Sequence, residues 1–555
     1  MAKPYRVVDY IVDYLECAGV GHIFGVDGAN IEDLYDAAYF NPGVTAVLAK
    51  HEFSAATMAD GYSRAGIAAG FGVVVATSGG GSLNLVPGLG ESLASRIPVL
   101  ALVGQPPSTM DGGGSFQDTS GRNGSLDAQK LFSAVSVFCQ RITEPADIVT
   151  ALPAAVSAAL TGGPAVLLLP KNSQQSLLDP VGVSALSTTP KGAEPDDIHF
   201  LARSLSLVRE RVTIIAGEQV ALDNARAELE ELRALLQARV ATVPEAKDVS
   251  TAALGVTGVM GHPGVAVAVT QSAVCLLVGT RLSLTARSGL EAALGSVRTV
   301  SVGSAQPFVP CAHVHSDDLR ISLAELSRAL SSQGSPAAPR SVDSTPRAAL
   351  TTPPFHGPGI DYRSAIAALD SALPDGTDII VDAGNTGAAA VHHLPVRHDG
   401  RFVVALGMGG MGYSFGAGIG MAFARGRRTV VIAGDGAFFM HGMEVHTAVQ
   451  YGLPVTFVLF NNNAHAMCVA REKLFYDDLY SYNRFTASRL GAGLSAMFPG
   501  LLTVDVDVAT DLPGALRRAL AADGPSVVSI ECSADEIPPF AAFLKETHNH
   551  VTART

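Results

Sequence analysis

Gly434-Asp435-Gly436, a helix-length spacer, and then Val455-Thr456-Phe457-Val458-Leu459-Phe460-Asn461-Asn462 form the stretch whose reading decides the fold. The Asp closes one apolar run, Thr429-Val430-Val431-Ile432-Ala433, and a carboxamide closes the next. If the two runs are neighbouring parallel strands, both side chains reach one sheet edge, where α/β folds bind ligands. Two oxygen ligands, beside glycines that let a phosphate approach the backbone, suit a Mg2+–diphosphate site. A βαβ unit with a glycine turn and an Asn cap would use the same residues without a ligand.

The pattern repeats outward from this stretch. Gly72-Val73-Val74-Val75-Ala76, Val99-Leu100-Ala101-Leu102-Val103 and Ala165-Val166-Leu167-Leu168-Leu169 are near-continuous apolar runs between amphipathic, Ala-rich segments. Such runs predict parallel strands buried on both faces, and the alternation predicts doubly wound α/β sheets. Leu177 to Asp197 and Ser331 to Gly359 are rich in Ser, Pro and other small residues without periodicity, and read as linkers. They divide the 555 residues into three α/β blocks, 1–176, 198–330 and 360–555. No short-period repeat is visible.

Composition narrows the class. Only 16% of residues are charged, so sizeable buried cores are expected. A net charge of −13 without a basic stripe argues against nucleic acid or an anionic membrane as partner. Cys17, Cys139, Cys275, Cys311, Cys468 and Cys532 are scattered, with no Cys-x-x-Cys, and read as reduced, mostly buried thiols of a cytoplasmic protein. The start, Met1-Ala2-Lys3-Pro4-Tyr5, has no apolar signal core. Leu406 to Ala424, the longest uncharged stretch, is crowded with glycine and reads as a turn plus helix, not a membrane span.

In the first block the order His51-Glu52-Phe53, Ala59-Asp60-Gly61-Tyr62-Ser63-Arg64, Thr77-Ser78-Gly79-Gly80-Gly81-Ser82-Leu83-Asn84, Val103-Gly104-Gln105-Pro106 and Phe116-Gln117-Asp118 is followed by Lys130 and by Gly163 to Lys171. It resembles the pyrimidine-binding domain of thiamine-diphosphate-dependent 2-oxoacid enzymes, in the acetolactate synthase branch. The last block, from Val381-Asp382-Ala383-Gly384 to about Tyr476, resembles that family's diphosphate-binding domain. The resemblance implies three doubly wound parallel-sheet domains: pyrimidine-binding, central and diphosphate-binding.

It also implies roles. Glu52 matches the carboxyl that hydrogen-bonds the aminopyrimidine ring and favours its imino tautomer; alone, it would read as a helix N-terminal carboxylate. Gly409 and Met411, in Gly407-Met408-Gly409-Gly410-Met411-Gly412, match the main-chain acceptor for the 4′-amino group and the apolar prop of the bent cofactor. That string also satisfies G-x-G-x-x-G, which leaves a nicotinamide reading, though no suitably placed ribose-binding acid follows. Asp435, Asn462 and the Ala464 carbonyl match the Mg2+ ligands. Gly436 and Ala437 would offer N–H groups to phosphate, and Asn385 and Thr386 polar side chains. Gln117 and Phe116 match the pair that lines a pyruvate pocket. Asn84 reads as structural.

The activity so implied is decarboxylation of a 2-oxo acid, pyruvate, with transfer of the two-carbon acyl unit to a carbonyl acceptor. No His-His pair lies near residues 105–125, and Thr77 stands where benzoylformate decarboxylases carry a His; both absences favour ligation over protonation. The alternatives are a 2-oxoacid decarboxylase or C–C lyase without ligation, and a non-catalytic thiamine-diphosphate-binding homologue. Family active sites lie at a subunit interface, which implies a homodimer or homotetramer.

Departures from the pattern lie on the acceptor side. Arg471 replaces the Trp that shapes that pocket, and could grip a carboxylate or phosphate or simply be solvated. Asp27 replaces a Pro and is either an extra proton-handling group or a helix cap. Met467 and Cys468, with His465, follow the metal residues and border the pocket. FAD is the family's further cofactor, but Thr285 occupies the position of an Arg used near the flavin and the second substrate, which counts against both. His548 and His550 form an isolated His-x-His in the tail.

Overall fold

The computed structural model describes residues 5–179, 182–183, 191–209, 211–251, 253–332, 347–479 and 481–545; His548 and His550 lie outside them. The described chain contains three sheets of parallel strands flanked by helices. The first has the order β2-β1-β3-β4-β6-β5, from β1 (His22–Val26), β2 (Thr45–Leu48), β3 (Gly72–Ala76), β4 (Val99–Gln105), β5 (Phe138–Arg141) and β6 (Pro164–Pro170). The second has the order β11-β10-β9-β7-β8, from β7 (Val212–Ala216), β8 (Arg239–Thr242), β9 (Val274–Val278), β10 (Arg298–Gly303) and β11 (Ala312–His315). The third has the order β13-β12-β14-β15-β17-β16, from β12 (Asp378–Val381), β13 (Phe402–Val404), β14 (Thr429–Gly434), β15 (Val455–Asn461), β16 (Leu502–Val506) and β17 (Ser526–Glu531).

The apolar runs are strands for the expected reason. Every residue of β3, β4, β6 and β15 is buried, as helices on both faces require. The first and third sheets share one strand order, with a switch point between β1 and β3 in one and between β12 and β14 in the other. No sequence repeat announced this likeness.

Two compact units are present. One takes in Met1–Thr188, Ala405–Thr429 and Ala437–Val455; the other takes in Thr189–Val404, Val430–Gly436 and Thr456–Thr555. In the first, the helix Glu52–Arg64 lies against the helix Tyr413–Arg425 almost backbone to backbone. Gly61 abuts Ala417, Gly416 abuts Ser54 and Thr57, and Gly420 abuts the Met58 carbonyl, so no side chain larger than hydrogen fits at these crossings. Asp60, itself buried, accepts from Arg64 Nε at 2.6 Å, Ser92 Oγ at 2.7 Å and Tyr413 Oη at 2.5 Å. That set of donors satisfies a charge which would otherwise be costly to bury.

In the second unit the helix Asn385–His393 is held at its carbonyl end. The buried Lys247 ammonium donates to the Ala390 carbonyl at 3.2 Å, to Val391 at 2.6 Å and to Leu394. A cation there opposes the negative end of the helix dipole, while burial holds its pKa well below the usual lysine range. His262 stacks on His392 at 4.4 Å, and His392 meets the His393 ring at 4.7 Å. His392 Nε2 accepts from Leu350 N–H at 3.0 Å and its Nδ1 donates to the Met260 carbonyl at 2.9 Å, which fixes a neutral tautomer.

Three expectations need correction. The thiols are not mostly buried: only Cys275 is, while Cys17 and Cys468 sit exposed on helices and the other three are half-buried; all six are free. The segment read as a linker to Asp197 already contains the start of the helix Pro195–Ser206, because Pro at the first position and Asp196 and Asp197 in the first turn suit a helix N-terminus. Asp27 caps no helix; the helix Glu32–Phe40 has Ile31 at its cap, and Asp27 Oδ1 accepts from Gly28 N–H at 2.7 Å in a local turn. Among the described residues, no helix is long and apolar enough to cross a membrane.

Burial lowers the pKa of His392, takes His262 down to about 3 and takes His393 to about 4. Their folded values lie below the ordinary histidine value, so the stability they contribute is present above about pH 6.5 and is lost as pH falls towards the folded values. Urea midpoints are therefore expected to drop between pH 7 and pH 5, and His393→Phe, which keeps the ring contact but cannot charge, is expected to show a smaller drop.

Candidate active site

In the first unit, the loop after β1 and the turn after β3 follow neighbouring strands at a switch point. The turn Thr77–Gly81 has Glu52 on one side and Gln117 on the other. A Cβ on Gly81 would stand 3.0 Å from Glu52 Oε1, and one on Gly79 would stand 2.7 Å from Gln117 Cγ. Glu52 opens its helix behind the His51 cap, whose Nδ1 accepts from Phe53 N–H at 3.1 Å. It is half-buried, and its Oε2 accepts from Asn84 Nδ2 at 2.9 Å. Asn84 is thus a direct partner of the candidate catalytic carboxyl, not only a structural residue. Gln117 adopts φ +60°, a conformation costly for a non-glycine residue. Phe116 beside it is 80% exposed. The Asp27 carboxyl is accessible, and partial burial raises its pKa against the pull of Gly28 N–H.

Gly407–Gly412 belongs to the same unit. Its N–H groups are not free for a dinucleotide. The buried Glu91 carboxylate accepts from Gly407 N at 3.1 Å, Met408 N at 2.6 Å and Gly409 N at 3.3 Å, and from Ser95 Oγ at 2.6 Å. An anion already fills the nest that a pyrophosphate would need. Gly409, at φ +67°, has open space where a side chain would stand, so a flat ring can approach its main chain; Met411 is half-buried. Sequence reading missed Glu91. Its signal was a lone acid inside the uncharged stretch Val86–Ser95.

In the second unit, Asp435 follows β14 and Asn462 follows β15, neighbours in the third sheet, so the two oxygens do reach one edge. Asp435 is buried, and accepts only main-chain N–H groups that include Gly436 at 3.0 Å and Ala464 at 3.2 Å. Burial pushes its carboxyl up to about 7, against the pull of these N–H groups. Asn462 Nδ2 donates to Tyr362 Oη at 3.4 Å, while its Oδ1 is buried with no partner. Asn385, after β12, has both amide atoms buried and unpartnered; Thr386 is buried next to it. Gly384, at φ +101°, faces open space. Gly436 N–H donates to Asp435 Oδ1 at 3.0 Å, and Ala437 beside it is buried. Among the described residues no three His, Cys, Asp or Glu side chains could together hold a metal. A set made of one carboxylate, one carboxamide and a main-chain carbonyl would escape that criterion, and suits a hard cation that also takes phosphate oxygens.

On the helix Ala466–Phe475, Met467 is half-buried, and Cys468 and Arg471 are exposed; the Arg471 guanidinium lies over the Phe475 ring at 5.7 Å. His465 Nδ1 is buried without a partner.

Three family profiles match in order: the N-terminal TPP binding domain of thiamine pyrophosphate enzymes over residues 5–125, their central domain over 203–308, and their C-terminal TPP binding domain over 382–530. The chain belongs to the thiamine pyrophosphate enzyme family. Its relatives include a probable acetolactate synthase large subunit of Methanocaldococcus jannaschii, 29% identical over 84% of this chain and 82% of that one. The acetolactate synthase large subunit of Parasynechococcus marenigrum is 29% identical over 85% and 78%. The acetolactate synthase isozyme 1 large subunit of Escherichia coli is 24% identical over 97% of each. This thiamine pyrophosphate enzyme therefore stands with the acetolactate synthase branch, and the buried orphan amides of Asn385 and Asn462 fit a diphosphate and its cation.

Glu91→Ala would leave three main-chain donors and Ser95 without their acceptor. It is expected to lower the unfolding free energy by about 2–4 kcal/mol, from the cost of buried unsatisfied groups, as read by urea denaturation.

Proposed function

We propose that this thiamine pyrophosphate enzyme is a Mg2+-dependent carboligase that decarboxylates pyruvate and passes the two-carbon acyl unit to a carbonyl acceptor. The observation that carries the cofactor reading is the set of buried, unpartnered amide atoms of Asn385 and Asn462 beside the buried Asp435. Asp435, Asn462 and the Ala464 carbonyl would hold Mg2+; Asn385, Thr386, Gly436 and Ala437 would hold the diphosphate; Gly409 and Met411 would meet the rings. Bound there, the cofactor supplies an electron sink for the charge left when a 2-oxo acid loses CO2. Glu52 would share a proton with the aminopyrimidine nitrogen, with Asn84 fixing its other oxygen. Gln117 and Phe116 would face the small donor.

Ligation is favoured because neither Thr77 nor the segment 105–125 supplies an imidazole to protonate the carbanion. A decarboxylase without an acceptor is the second reading, favoured by the exposure of the pocket residue Phe116 to water. The acceptor side would be formed by Asp27, Met467, Cys468 and Arg471. FAD is not part of the proposal. At the switch point of the central sheet, Gly217 abuts Gly279 and Thr280, and Gly279 abuts Gly303. Gln219 spans the remaining gap, accepting from Ser304 N–H at 2.8 Å and donating to the Ser316 carbonyl at 3.1 Å. These contacts tie the ends of β7, β9 and β10 together.

The domains we propose are 1–176 for the pyrimidine, 198–330 central, and 360–555 for the diphosphate. A homodimer or homotetramer is the proposed assembly, supported by the exposed apolar side chains Phe439, Met440 and Met443 on one short segment. A cytoplasmic location accords with the free thiols.

Two measurements test this reading. With labelled pyruvate, thiamine diphosphate and Mg2+, mass spectrometry is expected to find labelled CO2 and a ligated product, both lost in Glu52→Gln; CO2 with free acetaldehyde alone would favour the second reading. Calorimetric titration is expected to show thiamine diphosphate binding that is abolished by EDTA and weakened at least tenfold by Asp435→Asn, the loss of about 1.4 kcal/mol or more.

A further inference from the structure

Three side chains behind Gln117 decide which end of its amide faces outward. Thr77 Oγ1 donates to Gln117 Oε1 at 3.5 Å, and Ser78 Oγ donates to the same oxygen at 3.3 Å. Behind them, Asn30 N–H donates to Thr77 Oγ1 at 3.3 Å, and Asn30 Nδ2 donates to Ser78 Oγ at 2.6 Å. Asn30, Thr77 and Ser78 are all buried. The loop that carries Asn30 is pinned as well, because its carbonyl accepts from Gln174 Nε2 at 2.8 Å.

The donor assignment follows from chemistry. A side-chain amide can be turned end for end, but a main-chain N–H can only donate. Thr77 oxygen is therefore the acceptor toward Asn30, which leaves its proton available to Gln117. Both hydroxyls donate to Oε1, so the NH2 group faces away. The positive φ of Gln117 and its contact with Gly79 limit the freedom of the side chain further.

We propose that Thr77, Ser78 and Asn30 are positioning residues that lock the Gln117 amide with its NH2 group outward, so that the pocket offers a hydrogen-bond donor to the substrate. This rests on the reading of Gln117 as substrate-facing. A donor at that point suits the carboxylate or carbonyl oxygen of a 2-oxo acid, and disfavours a donor substrate whose facing group is itself an N–H or O–H. The orientation of that donor is thus set by hydroxyls that act through Gln117.

Neutron diffraction from deuterium-exchanged crystals reads the lock without any turnover. The deuterons are expected on the Gln117 atom that points away from Ser78; deuterons on the atom facing Thr77 and Ser78 overturn the proposal. Kinetics with pyruvate give the second reading. Thr77→Val keeps the shape and removes the donor, and Ser78→Ala removes the other. Each is expected to raise the pyruvate KM several-fold, and the pair about tenfold, with kcat changed much less, in line with loss of one oriented hydrogen bond. Thr77→Ser, which restores the donor, is expected to return KM to the starting value. An unchanged KM in the double variant, or a Thr77→Ser enzyme as impaired as Thr77→Val, overturns it. If the unaltered enzyme releases no CO2 from pyruvate, the functional reading falls and the neutron result still decides the orientation of the amide.

Discussion

The contact on which the first unit depends is the one between two helix backbones. Gly61, Gly416 and Gly420 let the helices Glu52–Arg64 and Tyr413–Arg425 touch at their main chains. Each helix begins at a piece of the candidate site. Glu52 is the first residue of one, and the loop with Gly409 and Met411 leads into the other. The crossing therefore fixes the start of the Glu52 helix relative to the loop with Gly409 within one chain. Close packing of this kind has little compliance, and a single methyl would have to move a backbone. Glu91 then ties the loop itself, and buried Asp60 ties Tyr413 to Arg64.

The second unit works by the opposite device, leaving buried polar groups unpartnered. Folded chains satisfy nearly all such groups, so the buried unpartnered amide atoms of Asn385 and Asn462 beside the buried Asp435 mark a place for a ligand. They lie after β12, β14 and β15, at the edge where a parallel sheet gathers side chains from separate segments. The helix Asn385–His393 begins there, and its far end is fixed by Lys247 and the stacked histidines.

Most of the fold is legible because parallel strands leave continuous apolar runs, and because Gly-Asp-Gly and Asn-Asn mark the ends of two of them. The spacing of those two runs is enough to bring Asp435 and Asn462 to one edge. What stays illegible is relational. Glu91, Asn84 and Asn30 act through partners brought near by the fold, and nothing in their local sequence announces those partners. The bond from Gly436 N–H to Asp435 depends on a side-chain rotamer, which motif spacing does not encode. The likeness in strand order between the first and third sheets is hidden because topology constrains only the alternation of strands and helices, leaving sequence free to diverge. The exposed Cys468 illustrates a further limit: on a helix with a weak apolar face, burial cannot be read from periodicity.

The departures from the acetolactate synthase pattern and the residues that match it differ in physical setting. Among those that would hold the cofactor, Asp435, Asn385 and Thr386 are buried and follow strand ends. The departures Asp27 and Arg471 are exposed, and each is supported by one local contact, the Gly28 N–H in one case and the Phe475 ring in the other. Changing such residues costs little stability, since exposed positions away from special geometry tolerate substitution. Selection for a different second substrate would therefore act there first, and could exchange a broad apolar indole for a guanidinium without touching the chemistry of decarboxylation. An Arg at that position offers donors to an anionic oxygen or to water, where an indole offers an apolar face.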